Sequence, residues 1–95
     1  MKVTNTHMVC IKTKYLAPTN TLGSRIKAYT RSNISATIAY NHDNDSAFQS
    51  HASAAIALAK KMKWDTRDMI AGGTETGYAF VFLPKKMDGN ESVEA

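Results

Sequence analysis

The sequence predicts an α+β domain: a small antiparallel sheet in the order β-β-β-α-β-β with one helix packed on one face. Three observations carry that expectation. Apolar and polar residues alternate with a period of two through residues 8–16, 25–31 and 34–40; a capped, alanine-rich stretch with helical spacing follows; and two further apolar runs flank a glycine-rich connection. The 95 residues supply apolar surface for one core and none for a second, so residues 1–84 read as a single domain. Within it 1–7 are loosely ordered, and 85–95 form a flexible tail without periodicity.

In the first strand Val9, Ile11, Thr13 and Tyr15 alternate with Cys10, Lys12 and Lys14, and Ala17-Pro18 ends it because proline brings no N–H to a ladder. Leu22-Gly23-Ser24 offers a place for positive φ where the chain turns back. Residues 25–31 form the second strand, with Ile26 and Ala28 facing in and Arg25, Lys27, Tyr29 and Arg31 facing out. Ser32-Asn33 turns the chain into a third strand, which places Ala36, Ile38 and Tyr40 inward and completes an antiparallel meander.

Ser46-Ala47-Phe48-Gln49 has the form of a capping box. The helix it opens repeats Phe48, Ala52, Ala55, Ala59 and Met62 at spacings of four and three, with Leu58 beside them and Ser50, Ser53, Lys60 and Lys61 opposite. Lys60, Lys61 and Lys63 suit the negative end of the helix dipole. Residues 69–71 and 78–83 then read as two strands joined by a wide loop through Gly72-Gly73-Thr74-Glu75-Thr76-Gly77, and Pro84 stops the second.

The net charge of +4 hides a segregation. Residues 1–42 hold Lys2, Lys12, Lys14, Arg25, Lys27 and Arg31 and no Asp or Glu, whereas the remainder has eight acids against six bases. With the apolar residues of the first two strands turned inward, Lys12, Lys14, Arg25, Lys27 and Arg31 emerge on one open face together with Tyr29. Clustered cations neutralise phosphates, and an interleaved tyrosine stacks on bases. The same cations also serve simply to solvate the open side of a sheet and to guard its edges. In the turn, Asn20, Thr21, Ser24 and Arg25 either offer hydroxyl, amide and guanidinium groups to an anion or close their own loop. The binding set expected from sequence is therefore Lys12, Lys14, Asn20, Thr21, Ser24, Arg25, Lys27, Tyr29 and Arg31.

Other chemistries fit less well. The turn is no P-loop, because it lacks the Lys-Ser/Thr ending and a strand follows it. His42, Asp43, Asp45 and His51 match no zinc spacing; they read as a capping loop and a core histidine, against a ligand or acid–base role. Cys10 is the only cysteine, which precludes an intrachain disulfide, and between Val9 and Ile11 it reads as an unreactive strand-centre thiol. The first residues have no signal-like apolar core, and no run approaches the roughly 18 apolar residues of a spanning helix. The expectation is a cytoplasmic, non-enzymatic protein without membrane association, metal or cofactor, its oligomeric state open.

The stretch Lys14-Tyr15-Leu16-Ala17-Pro18-Thr19-Asn20-Thr21-Leu22-Gly23-Ser24-Arg25-Ile26-Lys27-Ala28, followed by an alanine-rich helix ending at Trp64 and a Gly-Gly turn, resembles a group of small, mostly uncharacterised proteins of bacterial phages, prophages and plasmids. The resemblance covers most of residues 8–83. This chain departs from the pattern at Ala17, where Gly precedes the proline, and at Met62-Lys63, where Leu-Gly precedes the tryptophan. The resemblance implies origin in a mobile element and a regulatory or host-countering role, and it transfers no chemistry.

Two functions follow from these readings. One is a small binding protein whose first hairpin contacts nucleic acid or another anionic partner. The alternative is a phage- or plasmid-encoded protein inhibitor of a host defence enzyme, with a protein as its partner. A small hydrolase using His42 or His51 is a third reading, and no such activity is expected.

Overall fold

Alternation within Cys10-Ile11-Lys12-Thr13-Lys14-Tyr15-Leu16 gives strand β2 (Cys10–Leu16) two unlike faces, and the sheet extends from it on both sides. The structure is a computed structural model and describes residues 1–31, 33–40, 46–65, 67–84 and 90–95. The described elements besides β2 are β1 (Lys2–Thr4), β3 (Arg25–Arg31), β4 (Ile34–Ala39), α1 (Ala47–Lys61), β5 (Met69–Gly73), β6 (Gly77–Phe82) and β7 (Ser92–Glu94). Five of the strands form one antiparallel sheet in the spatial order β4-β3-β2-β6-β5, with α1 across one face, which is the predicted α+β class. The meander β2-β3-β4 follows chain order. The last hairpin attaches through β6 to the free edge of β2, so β2 is the middle strand.

The core lies between this face and the helix. Ile11, Ile26, Ala28, Phe80 and Phe82 from the sheet meet Ala54, Ala55, Leu58 and Ala59 of α1, all buried. Ser46 caps the helix from an extended backbone, its Oγ accepting from the Gln49 N–H at 3.3 Å. The helix is rotated from the face its apolar spacing predicts. Ser50 is buried, whereas Phe48 and Met62 are 44% and 37% exposed. Alanine explains the error: with Ala at 47, 52, 54, 55, 57 and 59, the helix has no strongly apolar stripe, and contacts with the sheet set its rotation instead. Phe48 then lies against the rings of Tyr78 and Phe80, with centroids 5.3 and 6.0 Å away.

The helix exit bears on the departure at Met62-Lys63. Lys63 N–H donates to Lys60 O at 3.1 Å, Trp64 N–H donates to Ala59 O at 3.1 Å, and Lys63 has φ 57°. This is the Schellman geometry, which ordinarily has glycine at the position Lys63 occupies. The exit thus keeps the backbone of a glycine-ended helix while carrying a lysine.

The β5–β6 connection is tighter than the predicted wide loop: Thr74 N–H donates to Gly77 O at 2.8 Å, and Gly77 N–H donates to Thr74 Oγ1 at 3.0 Å. Of its glycines only Gly77 is sterically required. A Cβ there would stand 2.1 Å from the Thr13 carbonyl oxygen, whereas one at Gly72 or Gly73 would meet nothing. Gly23 does not take the expected positive φ, and a Cβ there would also meet nothing. The Thr19–Leu22 turn is closed by Thr19 N–H donating to Leu22 O at 2.7 Å and by Leu22 N–H donating to Thr19 Oγ1 at 3.0 Å.

The loosely ordered start and part of the frayed tail in the sequence reading instead meet. β1 pairs antiparallel with β7, Val3 opposite Val93, in a second sheet that approaches no other described strand or the helix. Strands of three residues are too short for period-two patterning to register. Both valines are about two-thirds exposed, so the ribbon has no core of its own. Residues 85–89 of the tail and Ser32 of the predicted turn lie outside the described residues.

Two stability outcomes are expected. Gly77→Ala should lower unfolding free energy by about 1–3 kcal/mol, with Gly72→Ala nearly neutral, as measured by urea denaturation. Lys63→Gly should raise it by about 1 kcal/mol in the same assay, by relieving the left-handed backbone of a residue with a Cβ.

Candidate functional site

The face of the sheet away from α1 collects the residues that alternate with the core. Lys12 stands opposite Tyr29 of β3 and Ala79 of β6, Lys14 opposite Lys27, and Leu16 opposite Arg25. Ile11, Thr13, Ile26 and Ala28, the intervening residues, are buried toward the helix. Two strands that each alternate, paired in this register, bring Lys12, Lys14, Arg25, Lys27 and Tyr29 onto one surface.

Arg31 stands apart. The β3–β4 register shifts between Tyr29 and Arg31, so Arg31 is opposite Ile34, a residue that packs against the core. A bulge of this kind takes a residue out of strict alternation.

The electrostatics of the face are one-sided. No Asp or Glu occurs in β2, β3, β4 or β6. Among the described residues the ion pair present is Arg67–Asp65 at 3.1 Å, remote in sequence from the face. Lys14 and Lys27 are a directly opposed like-charge pair, an arrangement that costs stability in a sheet. Their ammonium groups lie 5.5 and 5.9 Å from the centroid of the Tyr29 ring, whose quadrupole partly offsets the repulsion. Cys10 is exposed at the first position of β2, opposite Val81, rather than buried at a strand centre.

The turn residues of the expected set are placed differently. Ser24 Oγ accepts from the Tyr15 hydroxyl at 2.8 Å, on the helix side of the sheet. Arg25 Nε donates to Gly23 O at 3.2 Å. The amides of Thr21 and Leu22 both point at Thr19 Oγ1, at 3.4 and 3.0 Å, so they are engaged within the turn rather than presented as an anion nest. Asn20 and Thr21 are exposed at the tip of the connection, beyond the paired rows.

Thr13 and His51 form a buried polar pair: the sequence reading placed His51 in the core and missed its partner. Thr13 Oγ1 and His51 Nδ1 are 2.7 Å apart, a hydrogen bond in either tautomer of the ring. Tyr78 N–H also donates to Thr13 Oγ1 at 3.3 Å, and the Tyr78 ring meets the imidazole edge-on at 5.0 Å. Burial pushes the His51 pKa below its ordinary value, because the charged ring would lose solvation. His51 also lines an open cavity of about 330 Å³ together with Tyr15, Tyr40 and Ala47. The available signal was a polar residue at an inward strand position and another on the helix, since buried polar groups require partners.

No group of three or more His, Cys, Asp or Glu with metal-binding geometry occurs among the described residues. His42, Asp43 and Asp45 lie outside them. No helix among the described residues is long and apolar enough to cross a membrane.

Fold and face together define a class, a five-stranded antiparallel sheet backed by one helix, with no described element packed on its cationic side. Comparison with protein-family models, with curated proteins and with solved structures finds no match for the chain.

The lowered His51 pKa sets the sign of a pH effect. Between the ordinary value of 6.5 and the lower folded value, the unfolded chain binds the proton and the folded chain does not. Stability is thus held above pH 6.5 and lost as pH falls through the folded value. Thermal unfolding followed from about pH 8 to pH 5 should show a steeper loss for wild type than for His51→Gln.

Proposed function

We propose that the protein binds nucleic acid through the open face of β2 and β3. The opposed pair Lys14–Lys27 supports this reading most directly, because a sheet that maintains like charges across adjacent strands with no carboxylate in those strands forgoes stability that a bound polyanion restores. Lys12 and Arg25 extend the positive strip by one row on either side. Phosphates meeting these cations release counterions, so the interaction is salt-dependent. The mobile-element origin implied by the 14–28 pattern is compatible with such a role, in the cytoplasm of a bacterial host and without enzymatic activity.

A second reading, an inhibitor that docks on a host protein, draws on the far edge of the sheet. Among the described strands β5 pairs only with β6, and Ile70 on it is 61% exposed. An added strand from a partner fits such an edge. A pull-down from host lysate with nuclease treatment separates the readings: a stoichiometric protein that persists favours the inhibitor, and loss of the co-purifying material favours nucleic acid.

Fluorescence anisotropy with labelled DNA and RNA should show affinity falling steeply between about 50 and 200 mM salt. The double variant Lys14→Gln/Lys27→Gln should bind weakly with a shallower salt slope, yet unfold at equal or slightly higher denaturant. Absence of salt-dependent binding to every oligonucleotide would sink the proposal.

A further inference from the structure

The open face presents cations around a half-buried aromatic ring, and this pairing narrows the ligand. Tyr29 is directly opposite Lys12, with Lys14 and Lys27 ammonium groups 5.5 and 5.9 Å from its ring. Alternate residues along a strand are about 7 Å apart and neighbouring strands about 5 Å, so the ring and three lysines share a patch about 10 Å across. The side chains around it are low: Ala79 opposite Lys12, Ser35 opposite Tyr29, and Thr37 opposite Lys27.

A duplex is a poor match for this surface. The major groove, about 12 Å wide, admits a helix or a two-stranded ribbon. Here the cations rise from the middle of five strands, a width of about 19 Å at about 4.8 Å per strand step. A paired base offers its face only to neighbouring bases, and taking it out of the stack costs a few kcal/mol. An unpaired base has a free face.

Resting on the nucleic-acid reading above, we infer that the ligand is single-stranded, with one unpaired base stacked on Tyr29 and adjacent phosphates held by Lys14 and Lys27. In the free protein the two ammonium groups gather at the ring. Phosphates draw them outward, and the base takes the ring they leave. Stacking contributes affinity without sequence preference, since every base has a π-face.

The test is anisotropy with three labelled probes of equal length: oligothymidylate, its duplex with oligoadenylate, and an abasic strand that keeps the phosphates and lacks the bases. Wild type should bind oligothymidylate about tenfold or more tighter than either of the others. Tyr29→Leu should reduce oligothymidylate affinity to the abasic level with an unchanged salt slope, and Tyr29→Phe should keep the preference. Equal wild-type affinity for the abasic strand or the duplex, with salt dependence intact, overturns this inference and leaves the basic-face proposal standing. No salt-dependent binding to any probe overturns both. The abasic comparison uses wild-type protein, so it does not depend on how well a Tyr29 variant folds.

Discussion

The register of β2 is the constraint on which both faces of the sheet depend. A slip by one residue would carry Lys12 and Lys14 into the core and expose Ile11 and Thr13, because the side-chain period of a strand is two. Several contacts hold the observed pairing. Ile11 is opposite Phe80, and Thr13 is opposite both Ala28 and Tyr78. Thr13 Oγ1 is bonded to His51 of the helix at 2.7 Å. The Gly77 backbone lies so close to the Thr13 carbonyl that no side chain fits between them. One hydroxyl thus ties the helix to the strand that presents Lys12 and Lys14 on its reverse side.

That coupling separates the energetics of the two faces. The helix face supplies stability through burial of Ile11, Ile26, Leu58, Phe80 and Phe82. The open face detracts from it, since Lys14 opposes Lys27 and no carboxylate occupies the neighbouring strands. Substitutions on the two faces should accordingly separate into those that unfold the domain and those that leave it folded but alter its charge.

Much of this was legible in the sequence. Alternation in Cys10–Leu16 and Arg25–Arg31 identified the strands and gathered Lys12, Lys14, Arg25, Lys27 and Tyr29 on one side, because period two is a local property. The helix rotation was not legible: alanines surround α1, and a buried Ser50 answers to tertiary contacts rather than to spacing. Nor could Gly77 be told from Gly72 and Gly73, since only the approach of β6 to β2 distinguishes them. The insertion of β6 beside β2 depends on long-range pairing that no short window contains. The bulge that displaces Arg31 and the bonding of the Thr21 and Leu22 amides to Thr19 are local, and they altered the expected site because alternation registers neither a one-residue shift nor where the amides of a turn point.

Binding is proposed on the open face of β2 and β3, with the helix face only supporting it. Titrating an isotopically labelled sample with oligothymidylate and following chemical shifts residue by residue tests it most directly. Shifts should concentrate at Lys12, Lys14, Arg25, Lys27 and Tyr29, with α1 and the edge strand β5 undisturbed. Shifts centred on Ile70 and its neighbours in β5, or on the Tyr15–Tyr40–His51 cavity, would contradict it.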